Sequence, residues 1–163
     1  MTQVKPQTLA ALTSGIQSEV ASYVFYVEAA KRSMAADFRD VLEKLALEEK
    51  DHFHILEREH HSLIRSEKWI STADILKMKG LPEISEEMSE QHRDLITEVQ
   101  KAPNVISILN IAYRLEEDAY ELFTREASRS DSPEGKSVFE GLARFEQGHM
   151  SIIANMINEY GGR

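Results

Sequence analysis

The feature that most restricts how this chain can fold is an internal repeat, in which residues 6–63 align with residues 103–160 at a constant offset of 97 positions. Fourteen of the 58 aligned positions are identical, so the two units are expected to share one architecture. In both units, apolar residues recur at spacings of three and four over long stretches, with scarcely a glycine or proline inside. Each unit therefore predicts a pair of long helices, and the whole chain predicts an all-α fold.

The predicted helices are long enough to form a bundle. At about 1.5 Å per residue, each would span roughly 40 Å, which is the scale of an antiparallel four-helix bundle. Proline at the first helical position and serine at an N-cap are typical start signals, and glycine is a typical stop signal. These signals place the helices at about 6–33, 36–63, from 103 onward, and 133–160, with Pro103 and Pro133 at first positions, Ser132 as an N-cap, and Gly161 with Gly162 as the stop.

Residues 64–102 connect the two units and are too many for a hairpin turn. They predict a long, partly helical crossover between the second and third helices. Ser71 resembles the N-cap of a short helix that stops near Gly80, and a further amphipathic helix is expected over about 85–101. Because this segment holds more apolar surface than a free linker needs, we expect it to pack on the bundle or on a second subunit.

Two copies of the string Glu-x-x-His interrupt apolar stripes, one in the second predicted helix and one in the fourth. In each unit, the preceding helix carries another stripe glutamate 30 residues before the motif glutamate. A spacing of three residues places the glutamate and the histidine on one helix face. Four carboxylates and two imidazoles therefore share one register, and six such ligands suit two metal ions. The six residues are Glu19, Glu49, His52, Glu116, Glu146 and His149.

The argument for metal begins with burial. A carboxylate on the inner stripe of a bundle is strongly unfavourable unless it is neutralised or bound to a cation. Two divalent ions would supply four positive charges against the four carboxylates. Mixed carboxylate and imidazole ligands favour iron or manganese over calcium, and the lack of thiolate argues against a structural zinc site. The donor set therefore favours two ions of iron or manganese, and zinc could act as a substitute.

A simpler interpretation of these residues remains open. The glutamates could lie at the edge of the bundle as solvated charges, with His52 and His149 as ordinary hydrogen-bonded core histidines. One Glu-x-x-His arises by chance in many helical proteins, but two copies related by a duplication favour the metal site. Acidic neighbours such as Glu48 lie off the inner stripe, and we predict that they are solvated.

Composition excludes several classes of protein. The chain has no cysteine, which excludes disulfides, thiolate-bound zinc and iron-sulfur centres within it. With 28 acidic and 19 basic residues, its formal charge of −9 disfavours nucleic acid and anionic membranes as partners. It shows neither a signal peptide nor a stretch near the roughly 18 apolar residues of a membrane span. We expect a cytoplasmic protein with no membrane partner.

Four segments carry a resemblance to a known family: Ile-Gln-Ser-Glu at 16–19, Phe-Tyr-Val-Glu-Ala-Ala at 25–30, Leu-Ala-Leu-Glu-Glu-Lys-Asp-His at 45–52 and Leu-Ala-Arg-Phe-Glu-Gln-Gly-His at 142–149. Over nearly its whole length the chain resembles the ferritin-like di-iron carboxylate proteins, most closely the rubrerythrin-related branch. The resemblance implies a single ferritin-like domain over 1–163, made of the helix pair 6–63, the crossover 64–102 and the helix pair 103–160.

The resemblance also implies roles for the ligands. Glu49 and Glu146 would bridge the two irons, and each iron would be completed by one glutamate and one histidine from the same unit of the repeat. Tyrosines one or two turns from the terminal glutamates could hydrogen-bond the ligand carboxylates, or could serve only as large core aromatics. These tyrosines are Tyr23, Tyr26 and Tyr120.

Sites of the resembled family react with hydrogen peroxide or dioxygen. The expected function is therefore that of a di-iron oxidoreductase reducing one of these oxidants. The chain lacks the rubredoxin domain that usually accompanies rubrerythrins. Electrons would have to come from an external donor, such as a rubredoxin-type protein.

One departure from the family pattern keeps alternatives open. Rubrerythrins carry an extra glutamate three residues beyond the terminal ligand of the third helix, and this chain has Ala119 there. The symmetrical set of six looks closer to a bacterioferritin-type ferroxidase site, so a ferroxidase or iron-storage protein is the alternative. Because the chain lacks the fifth helix of cage-forming ferritins, we expect a homodimer and not a cage. A helical interaction module with a vestigial site is a third interpretation.

Overall fold

All regular structure in the described residues is α-helical. The computed structural model describes residues 4–32 and 35–161, and the bundle predicted from the sequence is confirmed there. None of the described helices is long and apolar enough to cross a membrane. The predicted helix end at residue 33 and stop at residue 162 lie outside the described residues. The helices are α1 (Pro6–Arg32), α2 (Ala36–Ser66), α3 (Thr72–Leu76), α4 (Glu86–Glu90), α5 (Arg93–Lys101), α6 (Val105–Arg129) and α7 (Pro133–Gly161).

Two apolar clusters at opposite ends of the bundle show how the four long helices run. The upper cluster includes Phe25, Leu45, Leu109 and Ile153, and the lower cluster includes Leu12, Leu56, Phe123 and Phe139. Along the chain, α1 and α7 pass from the lower cluster to the upper cluster, whereas α2 and α6 pass from the upper cluster to the lower cluster.

The four long helices form two antiparallel hairpins, because α1 packs along α2 and α6 packs along α7. Since α2 and α6 are parallel, the crossover has to travel the length of the bundle, which explains why it is long.

The crossover packs on the bundle, as predicted, but its helices differ from the predicted ones. The backbone N–H of Asp74 donates to Ser71 Oγ at 3.2 Å, which confirms Ser71 as an N-cap. Helix α3 then ends at Leu76, earlier than the stop predicted near Gly80. The single helix predicted over 85–101 is wrong, because the backbone leaves the helical conformation at His92, with φ −114° and ψ 28°.

Side chains on both sides of this break pack on the bundle. Met88 in α4 and Ile96 in α5 pack against the same small cluster, which includes Phe53, and Val99 in α5 is fully buried in the upper cluster. The apolar pattern alone does not reveal the break, because the residues before and after it read as one amphipathic stripe.

The two helix starts predicted from proline have different outcomes. The expectation for Pro133 is confirmed, since α7 begins there and the N–H of Gly135 donates to Ser132 Oγ at 2.9 Å. The expectation for Pro103 is wrong, because α6 begins two residues later. The side chain of Asn104 accepts a hydrogen bond from the N–H of Ser107 at 2.9 Å and acts as the N-cap. An amide oxygen satisfies a free N–H of the first turn, which proline at that place cannot do.

Glu59 is a buried carboxylate outside the six-residue set. It lies on α2 with 0% of its surface exposed, and its Oε1 accepts a hydrogen bond from the backbone N–H of Ile70 at 2.8 Å. Its Oε2 has no hydrogen-bond partner. Burial raises the pKa of Glu59 to about 7, although the hydrogen bond from Ile70 acts in the opposite direction. This residue ties the end of α2 to the start of the crossover, and its ionisation opposes folding.

Replacing Glu59 with glutamine should stabilise the protein at pH 8 by roughly 2 to 4 kcal/mol and much less at pH 5.5. The folded pKa is raised from the ordinary value of 4.5, so ionisation penalises the folded state increasingly as pH rises through this range. Glutamine keeps an oxygen that can accept from Ile70. Urea unfolding at the two pH values measures the difference, with the exposed Glu43→Gln on the same helix as the control. A mutant advantage that is the same at both pH values would contradict this explanation.

Candidate metal centre

Six polar side chains meet between the two apolar clusters. In every long helix, the polar residues lie between a residue of the lower cluster and one of the upper cluster, so helical register alone brings them to the same level. The four glutamates are 0% exposed and the two histidines are 3% and 4% exposed. All six residues singled out from the sequence come together here: Glu19 from α1, Glu49 and His52 from α2, Glu116 from α6, and Glu146 and His149 from α7.

The six side chains form two overlapping groups of four. Within each group, one oxygen or nitrogen from every residue lies within 4.8 Å of the others. Glu49 and Glu146 belong to both groups. The first group is completed by the glutamate and histidine of the first repeat unit, and the second group by those of the second unit. This sharing is what two metal ions with two bridging carboxylates would need.

Each histidine turns its Nδ1 atom toward the carboxylates and lies closest to a glutamate of the other repeat unit. The Nδ1 of His52 is 2.9 Å from Glu146 Oε1, and the Nδ1 of His149 is 2.8 Å from Glu49 Oε1. The imidazole rings stack with their centroids 5.7 Å apart. The two helix pairs are therefore joined at their centre by reciprocal histidine–glutamate contacts.

Burial and mutual repulsion divide the carboxylates into two kinds. Burial raises the pKa of Glu19 well above its ordinary value, and the charges of Glu146 and Glu49 raise it further. Burial likewise raises the pKa of Glu116 to about 7. Glu146 behaves differently: burial and the charge of Glu49 act to raise its pKa, but its close contacts with Glu116, His149 and His52 outweigh them and lower it.

The histidines compensate the ionised carboxylates. Although burial lowers the pKa of His52, its contacts with Glu146 and Glu49 raise it to about 10. Contacts with Glu116, Glu146 and Glu49 likewise raise the pKa of His149 well above its ordinary value, although burial acts to lower it. The raised pKa values of the two histidines favour imidazolium beside the carboxylates, and the raised pKa values of Glu19 and Glu116 favour their protonated forms.

The chemistry of the donor set fits a pair of divalent cations. Five buried carboxylate oxygens of the set have no hydrogen-bond partner: both oxygens of Glu19 and Oε2 of Glu49, Glu116 and Glu146. Buried oxygens without partners are strongly unfavourable in an apolar surrounding. Metal coordination would satisfy these oxygens and replace the four site protons. The residues present therefore suit the group that the sequence predicts.

Of the three tyrosines proposed around the site, only Tyr26 hydrogen-bonds a glutamate within the described residues. Its hydroxyl donates to Glu116 Oε1 at 2.5 Å and is fully buried. Tyr23 lines a cavity of about 450 Å³ between α1 and α2, and Tyr120 packs at the edge of the lower cluster. On α1, Tyr26 lies on the face that reaches α6, whereas Tyr23 faces the cavity beside α2.

The sequence pattern does not indicate two of the contacts that the histidines make. The Nε2 of His149 lies 3.0 Å from Glu48 Oε2, so Glu48 is a partner of the site and not merely a solvated charge. The ring of Phe145 lies against the ring of His52, with centroids 4.9 Å apart. Both contacts cross between α2 and α7. No pattern within one helix reports them, although Glu48 and Phe145 do occupy equivalent positions in the repeat.

A bundle of four long helices that buries two such overlapping groups defines the ferritin-like class with a carboxylate-rich di-metal site. The chain matches the family model described as Rubrerythrin over residues 10–157, and it belongs to the rubrerythrin family. The resemblance drawn from the sequence is thereby confirmed. Members of this family typically bind iron. No curated protein and no solved structure matched the chain.

Loading two Co(II) ions at pH 6 should release about four protons per chain, because metal ligands must be deprotonated. The four protons come from the two histidines and from Glu19 and Glu116, whose pKa values are raised. At pH 8 the release should fall toward three, since the pKa of Glu116 is about 7. Calorimetric titration in buffers of different ionisation enthalpy counts these protons. The exposed Glu117→Gln should release the same number, and a count of two or fewer at pH 6 would show that the carboxyls are already ionised.

Proposed function

We propose that this protein is a di-iron oxidoreductase that reduces hydrogen peroxide or dioxygen with electrons from an external donor. The observation that carries the proposal is the pair of buried four-residue groups sharing Glu49 and Glu146. Carboxylate-rich sites of this kind hold two ions close together, and two Fe(II) ions so held can deliver two electrons to one oxygen–oxygen bond. Membership of the rubrerythrin family supports iron as the metal.

In this proposal, the protein supplies ligands, orientation and exclusion of water. Glu49 and Glu146 would bridge the ions, with Glu19 and His52 completing one position and Glu116 and His149 the other. When bound, the iron pair would supply two electrons to the oxidant. The hydroxyl of Tyr26 holds Glu116 in place, and the two apolar clusters close the site above and below.

The electron balance requires a partner. Reduction of one hydrogen peroxide to two water molecules consumes two electrons and two protons. This chain has no cysteine, so it holds neither a rubredoxin-type iron nor an iron-sulfur centre that could store electrons. A rubredoxin-type protein is the kind of donor we propose, and a homodimer is the assembly we propose.

A ferroxidase or iron-storage function is the second candidate, and one observation favours it. The position three residues beyond Glu116 is occupied by Ala119, which is 1% exposed and packs in the lower cluster. No seventh carboxylate is available there. The six candidate ligands are therefore symmetrical between the repeat units, and in this respect the site is similar to a bacterioferritin-type ferroxidase site.

Protein prepared without oxygen should bind about two Fe(II) per chain, and Mössbauer spectra of the oxidised protein should report a magnetically coupled pair. Replacing Glu49 and Glu146 together with glutamine should abolish paired binding, because both ions lose a shared ligand. The matched control is the double replacement of Glu117 and Glu121, which are exposed on α6. Full iron loading with the spectrum of isolated ions would overturn the di-iron proposal.

Turnover separates the two candidate functions. A reductase supplied with peroxide and an electron donor should complete many cycles while its iron content stays near two per chain. A store supplied with Fe(II) and dioxygen should accumulate iron well beyond two per chain. Iron analysis after each reaction gives the answer, and size-exclusion chromatography adds a check, since a dimer favours the reductase and a particle of about 24 subunits favours storage.

A further inference from the structure

The internal repeat provides a comparison within the molecule. At an offset of 97 positions, every ligand of one half has an identical counterpart in the other half. The residues that contact the ligands from outside do not follow this symmetry. Glu48 corresponds to Phe145, and Tyr26 corresponds to Phe123. Both polar residues in these pairs serve the same half of the site.

The half made of Glu116 and His149 has two polar supports. The Tyr26 hydroxyl donates to Glu116 Oε1 at 2.5 Å from a fully buried side chain. The Glu48 carboxylate lies 3.0 Å from the Nε2 of His149, on the side of the ring opposite the nitrogen that faces the carboxylates. A carboxylate at this outer nitrogen fixes the ring and makes the inner nitrogen a stronger ligand.

The half made of Glu19 and His52 has phenylalanine at both corresponding places. Phe145 covers His52 with its ring and provides no hydrogen-bond acceptor. Phe123 is 0% exposed in the lower cluster, and both oxygens of Glu19 have no hydrogen-bond partner. Within the described residues, the ligands of this half have no polar support from outside the set of six ligands.

We propose that the two metal positions are unequal: the Glu116–His149 position binds a divalent ion at least about tenfold more tightly than the Glu19–His52 position, because Glu48 and Tyr26 hold its ligands. Glu48 acts as a positioning residue, since it contacts a ligand and not the metal. The inference rests on the proposed di-metal centre. It makes the Glu19–His52 position the one that fills last and empties first.

The test compares the two positions one at a time. Two neighbouring cations repel each other, so stepwise binding to the wild-type protein would differ even for identical positions. Glu19→Gln leaves the Glu116–His149 position, and Glu116→Gln leaves the Glu19–His52 position. Anaerobic titration with Co(II), followed by calorimetry and visible absorption, should give a Kd about tenfold lower for Glu19→Gln than for Glu116→Gln. Equal values, or the reverse order, would overturn the inference.

Second replacements connect the difference to Glu48. In the Glu19→Gln background, Glu48→Gln should weaken Co(II) binding about tenfold, whereas in the Glu116→Gln background it should change nothing. Phe145→Glu should strengthen binding in the Glu116→Gln background, because it supplies the missing carboxylate beside His52. Phe145 is 49% exposed, so a charge is tolerable there. No effect of Glu48→Gln in the first background would overturn the role assigned to it.

A crystallographic measurement on the wild-type protein covers the case in which neither single variant binds. Crystals loaded with about one Co(II) per chain should show higher anomalous density at the Glu116–His149 position than at the other. Equal density would overturn the inference while leaving the di-metal centre intact. Wild-type protein that binds fewer than two Co(II) at saturation would instead refute the proposed function itself.

Discussion

Compensation of buried charge is the constraint on which the rest of this structure depends. Four glutamates lie at one level of the bundle with no exposed surface, between two apolar clusters. Ionised carboxylates cannot remain there without counter-charge. In the metal-free protein, the raised pKa values of His52, His149, Glu19 and Glu116 favour protonated forms that reduce the negative charge, and two divalent ions could replace these protons. Without compensation of this charge, the buried carboxylates would oppose the packing of the apolar stripes above and below the site.

The same interaction connects the two halves of the repeat. His52 faces Glu146 and His149 faces Glu49, so each histidine makes its shortest contact with a glutamate of the other unit. Because α2 and α6 run parallel, the two units meet only after the crossover has travelled along the bundle. The packing of α4 and α5 on α1 holds that crossover in place. The parallel arrangement of α2 and α6 therefore requires the long crossover, and the histidine–glutamate contacts then join the two units at the site.

Duplication and divergence affect different layers of the site. The six candidate ligands are identical between the units, as two ions that need the same kind of donors would require. The surrounding residues were free to change, since a carboxylate at position 48 and a phenyl ring at 145 both fit beside an imidazole. A site with symmetrical ligands and unequal surroundings can treat its two ions differently. This difference would suit a centre in which one ion must be exchanged or must react first.

The sequence by itself determined the helices and the register of the six ligands, because helical periodicity is a local property and the repeat supplied an independent copy of it. It did not determine the break at His92, because the apolar stripe continues across it, nor the start of α6 at the Asn104 cap. It also could not choose Tyr26 over Tyr23, or identify Glu48 as a partner of His149. These contacts join residues on different helices, and they depend on how each helix is rotated and which neighbour it faces. Only the tertiary structure decided them, because the spacing of residues along one helix carries no information about the helix opposite.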